Sequence, residues 1–140
     1  TGAFPWGQAG DIPVPGDYDA DGTTDIAVWR PGDGLWYVRN SGTFPWGALG
    51  DIPVPGDYDA DGKTDCAVWR PSTGDWFIRY AKGGMATAAW GQAGDIPAAG
   101  DFNGDSAPEI AVWRPGDGAW YIKDIGCFFW GTKGDIPLVR

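Results

Sequence analysis

The chain contains no histidine and only two cysteines among its 140 residues. The first absence removes the commonest general base and every Ser–His or Cys–His nucleophile pair. The second excludes a disulfide framework, so cysteine usage does not report a redox compartment. No run of eighteen apolar residues occurs, so no membrane span is expected, and no basic-then-apolar N-terminus reads as a signal peptide. The sequence opens inside a repeat, which is compatible with removal of a targeting segment. Cations are sparse: ten Lys and Arg stand against nineteen Asp and Glu, for a net charge of −9. Without a basic patch, nucleic acid is not an expected partner. Helical apolar spacing over eleven residues is missing as well, which leaves an all-β chain.

Glycine (24) and proline (12) make up about a quarter of the residues, a composition that by itself suggests disorder. Ten Trp, five Tyr and six Phe exclude that reading, because disordered chains lack large apolar side chains. Gly and Pro therefore punctuate short strands. They do so periodically. Trp-Gly begins at 6, 46, 90 and 130, Gly-Asp-Ile-Pro at 10, 50, 94 and 134, and Val-Trp-Arg-Pro at 28, 68 and 112, giving spacings of 40, 44 and 40 residues. A period of this size signals a propeller, a solenoid or a pseudo-symmetric fold.

Four short strands are expected per unit, illustrated by the first. They are Ile12–Tyr18, Asp25–Arg30, Leu35–Asn40 and the segment Phe44-Pro45-Trp46, where proline is tolerable only at an edge. The second and third strands are apolar on both faces, so each sheet must be covered twice, as in stacked propeller blades. The units are expected at 11–50, 51–94 and 95–134, with 1–10 as the outer strand of a preceding blade and 135–140 as the start of a further one. Three blades cannot close around an axis, so the ring is completed by oligomerisation or by a longer parent chain. Three units of four strands also fit a β-trefoil, the alternative. Cys66 replaces the Ile of positions 26 and 110 and reads as a small buried apolar residue, while Cys127 lies in a strand of another unit.

The strongest chemical signal is a repeated row of oxygens. Residues 16–25 read GDYDADGTTD, 56–65 GDYDADGKTD and 100–109 GDFNGDSAPE. Side-chain oxygens fall at loop positions 1, 3, 5 and 9: Asp17, Asp19, Asp21 and Asp25; Asp57, Asp59, Asp61 and Asp65; Asp101, Asn103, Asp105 and Glu109. Calcium takes six to eight oxygens at roughly 2.3–2.6 Å from a tightly curled loop, and this spacing suits it. Three such ions would bring the charge from −9 to −3. The third loop has an amide at 103, Ser106 in place of the position-6 glycine, and Pro108. It should bind more weakly.

Trp29, Trp69 and Trp113, with Trp36, Trp76 and Trp120, fall inside strands and read as core between blades. Trp6, Trp46, Trp90 and Trp130 sit nearer loops, and Arg30, Arg70 and Arg114 recur at the end opposite the acidic loops. Together they are the candidate ligand-binding positions, since aromatic faces beside cations suit a sugar. The competing reading pairs each arginine with a neighbouring aspartate. Four extra residues around Lys82–Ala86 are the main break in symmetry, on the acidic-loop side.

The run GDIPVPGDYDADG-x-TD-x-AVWRP, followed by a Trp-Tyr or Trp-Phe strand, resembles FG-GAP and VCBS-type repeats of bacterial secreted and surface proteins, relatives of the integrin α-subunit propeller repeats. The resemblance covers nearly the whole chain. It implies four-stranded blades with a calcium ion between the first and second strands, and adds the backbone carbonyls of Thr23, Lys63 and Ala107 to the three ligand sets. It also implies a secreted or cell-surface bacterial protein. The expected function is therefore a non-enzymatic, calcium-stabilised binding module for carbohydrate (lectin-like) or for adhesion to a glycan or surface protein. A ligand-free, self-assembling spacer is the alternative, and an accessory part of a glycoside-processing enzyme a remote one.

Overall fold

The computed structural model describes residues 2–137, so the C-terminal end of the expected further blade, residues 138–140, lies outside the described residues, as does Thr1. Three four-stranded antiparallel sheets follow one another along the chain, each in simple up-and-down order. The first comprises β1 (Ile12–Pro13), β2 (Ala27–Arg30), β3 (Leu35–Val38) and β4 (Gly42–Pro45). The second comprises β5 (Ile52–Pro53), β6 (Cys66–Arg70), β7 (Asp75–Arg79) and β8 (Met85–Ala89), and the third β9 (Ile96–Gly100), β10 (Glu109–Arg114), β11 (Ala119–Ile122) and β12 (Gly126–Phe129). There is no helix and no closed barrel among the described residues. The sheets are blades, and the trefoil alternative, which needs a barrel, is not the fold.

Local sequence sets the strand lengths. The first strand was expected to run to Tyr18, yet β1 holds two residues and resumes only as an isolated Gly16–Asp25 bridge. Pro13 and Pro15 remove two ladder donors in three positions. In the third unit Ala99 stands where Pro15 stands in the first, and β9 runs unbroken over five residues with Ala99 opposite Ile110. The fourth strand ends at Pro45, so Trp46 has already left the sheet.

Packing follows the expected double cover on the second strands: Ala27, Val28 and Trp29 are consecutive and all buried. The third strands depart from it, for Trp36 and Val38 are buried while Leu35 and Tyr37 are half-exposed. Trp29, Trp36, Trp69, Trp76 and Trp113 lie in the core. Trp120 does not share their burial and is half-exposed. The reason is visible between blades. Cys66 and Val68, with Phe77 at the edge, pack on Trp29, Trp36 and Val38 of the first blade. Ile110 and Val112, with Tyr121, pack on Trp69, Trp76 and Ile78 of the second. Each blade thus has a trailing face rich in tryptophan and a leading face built around a valine. Among the described residues no blade covers the trailing face that carries Trp120. Burial of Cys66 also pushes its thiol up to about 12, as a small core residue requires. Both cysteines are free.

Candidate metal centres

Each acidic loop joins the first and second strands of its blade, and its curl comes from left-handed residues at loop positions 4 and 6. In the first two loops these are Ala20 and Gly22 (φ 65° and 88°) and Ala60 and Gly62 (φ 58° and 92°). In the third they are Gly104 and Ser106 (φ 83° and 77°). The glycine has moved from position 6 to position 4, and the backbone course is kept. Loss of the position-6 glycine thus leaves the left-handed residues of the loop at the same two positions.

Within this curl, backbone N–H groups hold the carboxylates. Asp17 accepts from the N–H groups of Asp21 and Gly22 at 3.1 and 2.9 Å, and Asp57 does the same with Asp61 and Gly62 at 3.0 and 2.9 Å. Asp101 accepts from Gly104, Asp105 and Ser106, and these bonds, that from Ser106 foremost, hold its carboxyl below the usual range. The position-9 acids reach back across the loop: Asp25 accepts from Tyr18 N–H, Asp65 from Tyr58 N–H, and Glu109 from Phe102 N–H. Asn103 donates its amide to Glu109 Oε1 at 2.8 Å, so it supports that carboxylate.

Carboxylate oxygens converge to within 4.8 Å of one another in three groups: Asp17, Asp19 and Asp25; Asp57, Asp59 and Asp61; Asp101, Asp105 and Glu109. Each could hold a metal ion. Asp21 and Asp65 lie outside these tight groups. Asp21 Oδ1 instead accepts from the Thr23 N–H and hydroxyl at 2.8 and 2.6 Å, which keeps its carboxyl ionised below the usual range. Asp65 is wholly buried and also accepts from Ala81 N–H, at 2.7 Å; burial first, then Asp59 and Asp57, pushes it up to about 6.

The donor set consists of oxygen alone, as a hard cation demands. The second centre supplies a sharper test of fit. Asp59 Oδ2 is buried, which is costly for a carboxylate oxygen unless a cation faces it, and here the protein supplies that cation itself. Lys82 Nζ, from the four-residue insertion, lies 3.1 Å from that oxygen. Burial opposes ionisation of Asp59, but the Lys82 ammonium outweighs it and lowers the carboxyl. The insertion therefore sits at the acidic end, beside the second centre. The first two loops are also linked, since Thr64 N–H donates to the Asp17 carbonyl at 2.7 Å.

The opposite end is occupied by internal pairs. Arg30, Arg70 and Arg114 each form a bidentate pair, at 2.8 and 2.9 Å, with Asp11, Asp51 and Asp95 of the Gly-Asp-Ile-Pro segments. Each guanidinium also lies 4.2–4.5 Å over the ring of Tyr37, Phe77 or Tyr121. These cations are spent within the blades. Trp46 and Trp90 are similarly committed: each indole N–H donates at 2.8 Å to a third-strand carbonyl of the next blade, Phe77 or Tyr121. Trp6 makes the same bond to Tyr37 at 3.1 Å. The carbonyls of Trp46 and Trp90 each accept two indole N–H groups from their own blade, a role that Trp-Gly spacing did not announce. Trp130 remains 81% exposed.

Residues 57–112, from the second acidic loop through most of β10, match a family model described as an FG-GAP-like repeat. No curated protein and no solved structure matched the chain.

Proposed function

We propose that this chain, an FG-GAP-type repeat protein, is a calcium-stabilised binding module that works outside the cell and catalyses no reaction of its own. The observation that carries the reading is the threefold convergence of carboxylate oxygens on loops of one backbone course. The first and third sets join the acid that opens the loop (Asp17, Asp101) to the one that closes it (Asp25, Glu109), while in the second Asp57 is joined by Asp59 and Asp61; on this reading the carbonyls of Thr23, Lys63 and Ala107 complete the sets. Bound calcium neutralises repulsion within each loop and stiffens the acidic end of the blades.

Recognition of a glycan or surface protein fits the acidic end better than the other, where the arginines are already paired. A cleft of about 360 Å3 opens between the first two blades, with Asn40, Ser41, Thr64 and Arg79 as hydrogen-bonding groups beside Tyr18 and Phe44. Polar groups around an aromatic wall suit a sugar ring. A glycan array with calcium and with chelator tests this. Binding that disappears on chelation supports it, and no binding in either state leaves the second reading, a ligand-free spacer. That second reading draws on one fact: arginines and tryptophans at the far end serve the blades themselves.

A further inference from the structure

Two clefts of similar size open at the acidic end, one at each junction, and each has a blade on either side. The first, of about 360 Å3, is the one proposed above for a sugar; the second, of about 380 Å3, lies between the second and third blades. The repeat puts equivalent positions on both walls: Tyr18 and Tyr58, Cys66 and Ile110, Arg79 and Lys123. Their charges nevertheless differ, so each cleft is a control for the other.

The first cleft carries two cations, Lys63 and Arg79, and one acid, Asp19. Both cations are half-buried, and among the described residues neither is paired with a carboxylate. That sets them apart in a chain of net charge −9, where Arg30, Arg70 and Arg114 are each held by an aspartate and Lys82 by Asp59. Arg79 is steadied by an aromatic ring instead: its guanidinium lies 5.3 Å over Phe44, a contact that leaves the N–H fork unspent. A cation drawn partly out of water without a partner is an unfilled place for an anion. Asn40, Ser41 and Thr64 add an amide and two hydroxyls to the same cleft.

The second cleft has lost this chemistry. Ala107 and Pro108 stand where Lys63 and Thr64 stand in the preceding repeat, and Ala88 replaces Phe44. Lys123 remains, but it is paired with Asp124 at 2.9 Å, and Glu109 adds a second acid. Two cations against one acid leave the first cleft positive; one cation against two acids leaves the second negative.

We infer that the cleft between the first two blades takes a sugar bearing an acid group, a uronic acid or a sulfated sugar, with Arg79 and Lys63 pairing its anion and Asn40, Ser41 and Thr64 meeting its hydroxyls. The inference rests on the binding-module reading and names the ligand class for it. A guanidinium fork meets two oxygens of such an anion at once, and the Lys63 ammonium adds a point charge. The one opposing acid, Asp19, belongs to the first carboxylate group, so a cation held there removes its repulsion. Because the whole chain is negative, its long-range field does not gather polyanions, and selection falls to these local pairs.

An array of uronate, sulfated and matched neutral glycans, probed with the full chain at constant calcium, tests this. Anionic glycans should be bound about tenfold or more tightly than their neutral counterparts. Uronates and sulfates on separate spots show which acid group is preferred. On the best anionic glycan, calorimetric titration should show Arg79→Gln and Lys63→Gln each weakening binding about tenfold. Lys123→Gln, in the second cleft, should leave it unchanged. Lys63→Gln keeps Arg79 and Phe44 in contact, so it decides the matter if Arg79→Gln loosens the junction. Binding of neutral glycans alone overturns the inference and leaves the binding-module reading standing, whereas no binding of any glycan overturns both. Anionic binding that neither variant weakens, or that Lys123→Gln weakens equally, puts the ligand elsewhere and overturns the cleft assignment.

Discussion

The second and third blades are built from one repeat, yet among the described residues only the second has a blade on both sides. Trp76 is fully buried and its counterpart Trp120 is half-exposed. The Trp90 carbonyl accepts from two indoles, that of Trp69 and that of Trp76, while among the described residues the Trp130 carbonyl accepts from Trp113 alone. Tyr58 closes its loop with a hydroxyl bond to the Val54 carbonyl at 2.8 Å; Phe102 cannot, and tilts instead against Trp120 at 6.3 Å. Equivalent residues thus differ in energetic weight because of what lies beside them. In repeat proteins stability is a sum of unit terms and neighbour terms, and the third blade lacks one neighbour term.

The largest test of that difference is truncation of the paired tryptophans. Trp76→Ala should cost about 3–5 kcal/mol, the range for removing a fully buried large aromatic, and Trp120→Ala about half as much. Urea denaturation of both variants measures it, and equal losses would break the comparison. Next come the glycines of the Trp-Gly pairs. Gly91 and Gly131 share a left-handed backbone (φ 103° and 104°), so the strain of an alanine is common to both. Only at Gly91 does the methyl also meet a valine of another blade, and Gly91→Ala should be the more destabilising by about 1–3 kcal/mol.

Loops sharpen the comparison more gently. Calcium should raise the melting temperature, and Asp57→Asn should remove more of that rise than Asp101→Asn. The second loop offers four carboxylates, whereas the third offers three and an amide. Calorimetric titration of both variants decides the order. The smallest effect concerns the thiols. With the Cys66 thiol buried and pushed up to about 12, native protein near pH 8 should react with a thiol reagent at Cys127 alone, and at both sites once unfolded. Rapid native labelling of Cys66 would mean that the first and second blades open readily.

Periodicity, turn residues and the doubly apolar Ala-Val-Trp run were enough to read four-stranded blades and to place the acidic loops between first and second strands. Those are local facts: two prolines cut β1 short, an alanine lengthens β9, and acids at positions 1, 3, 5 and 9 need only a curled backbone to meet. The shift of glycine from position 6 to position 4 was also visible in the sequence, but the unchanged backbone course was not, since that depends on both positions staying left-handed whichever of them carries the glycine.

What the sequence could not determine is where each repeated side chain spends its bonds. Trp46 and Trp90 look like stacking platforms in one dimension; in three they are clasps, because the carbonyl they need lies 31 residues away in another sheet. An aspartate partner for Arg70 was one of two readings, and the structure selects it by bringing Asp51, 19 residues earlier, within 2.8 Å. Trp130 has the same sequence neighbourhood as Trp46 yet is 81% exposed, since among the described residues no blade lies beside it. Covalent order sets the strand, the turn and the loop through short-range sterics and backbone hydrogen bonds. Burial and pairing are properties of neighbours in space, and tertiary structure alone decides them.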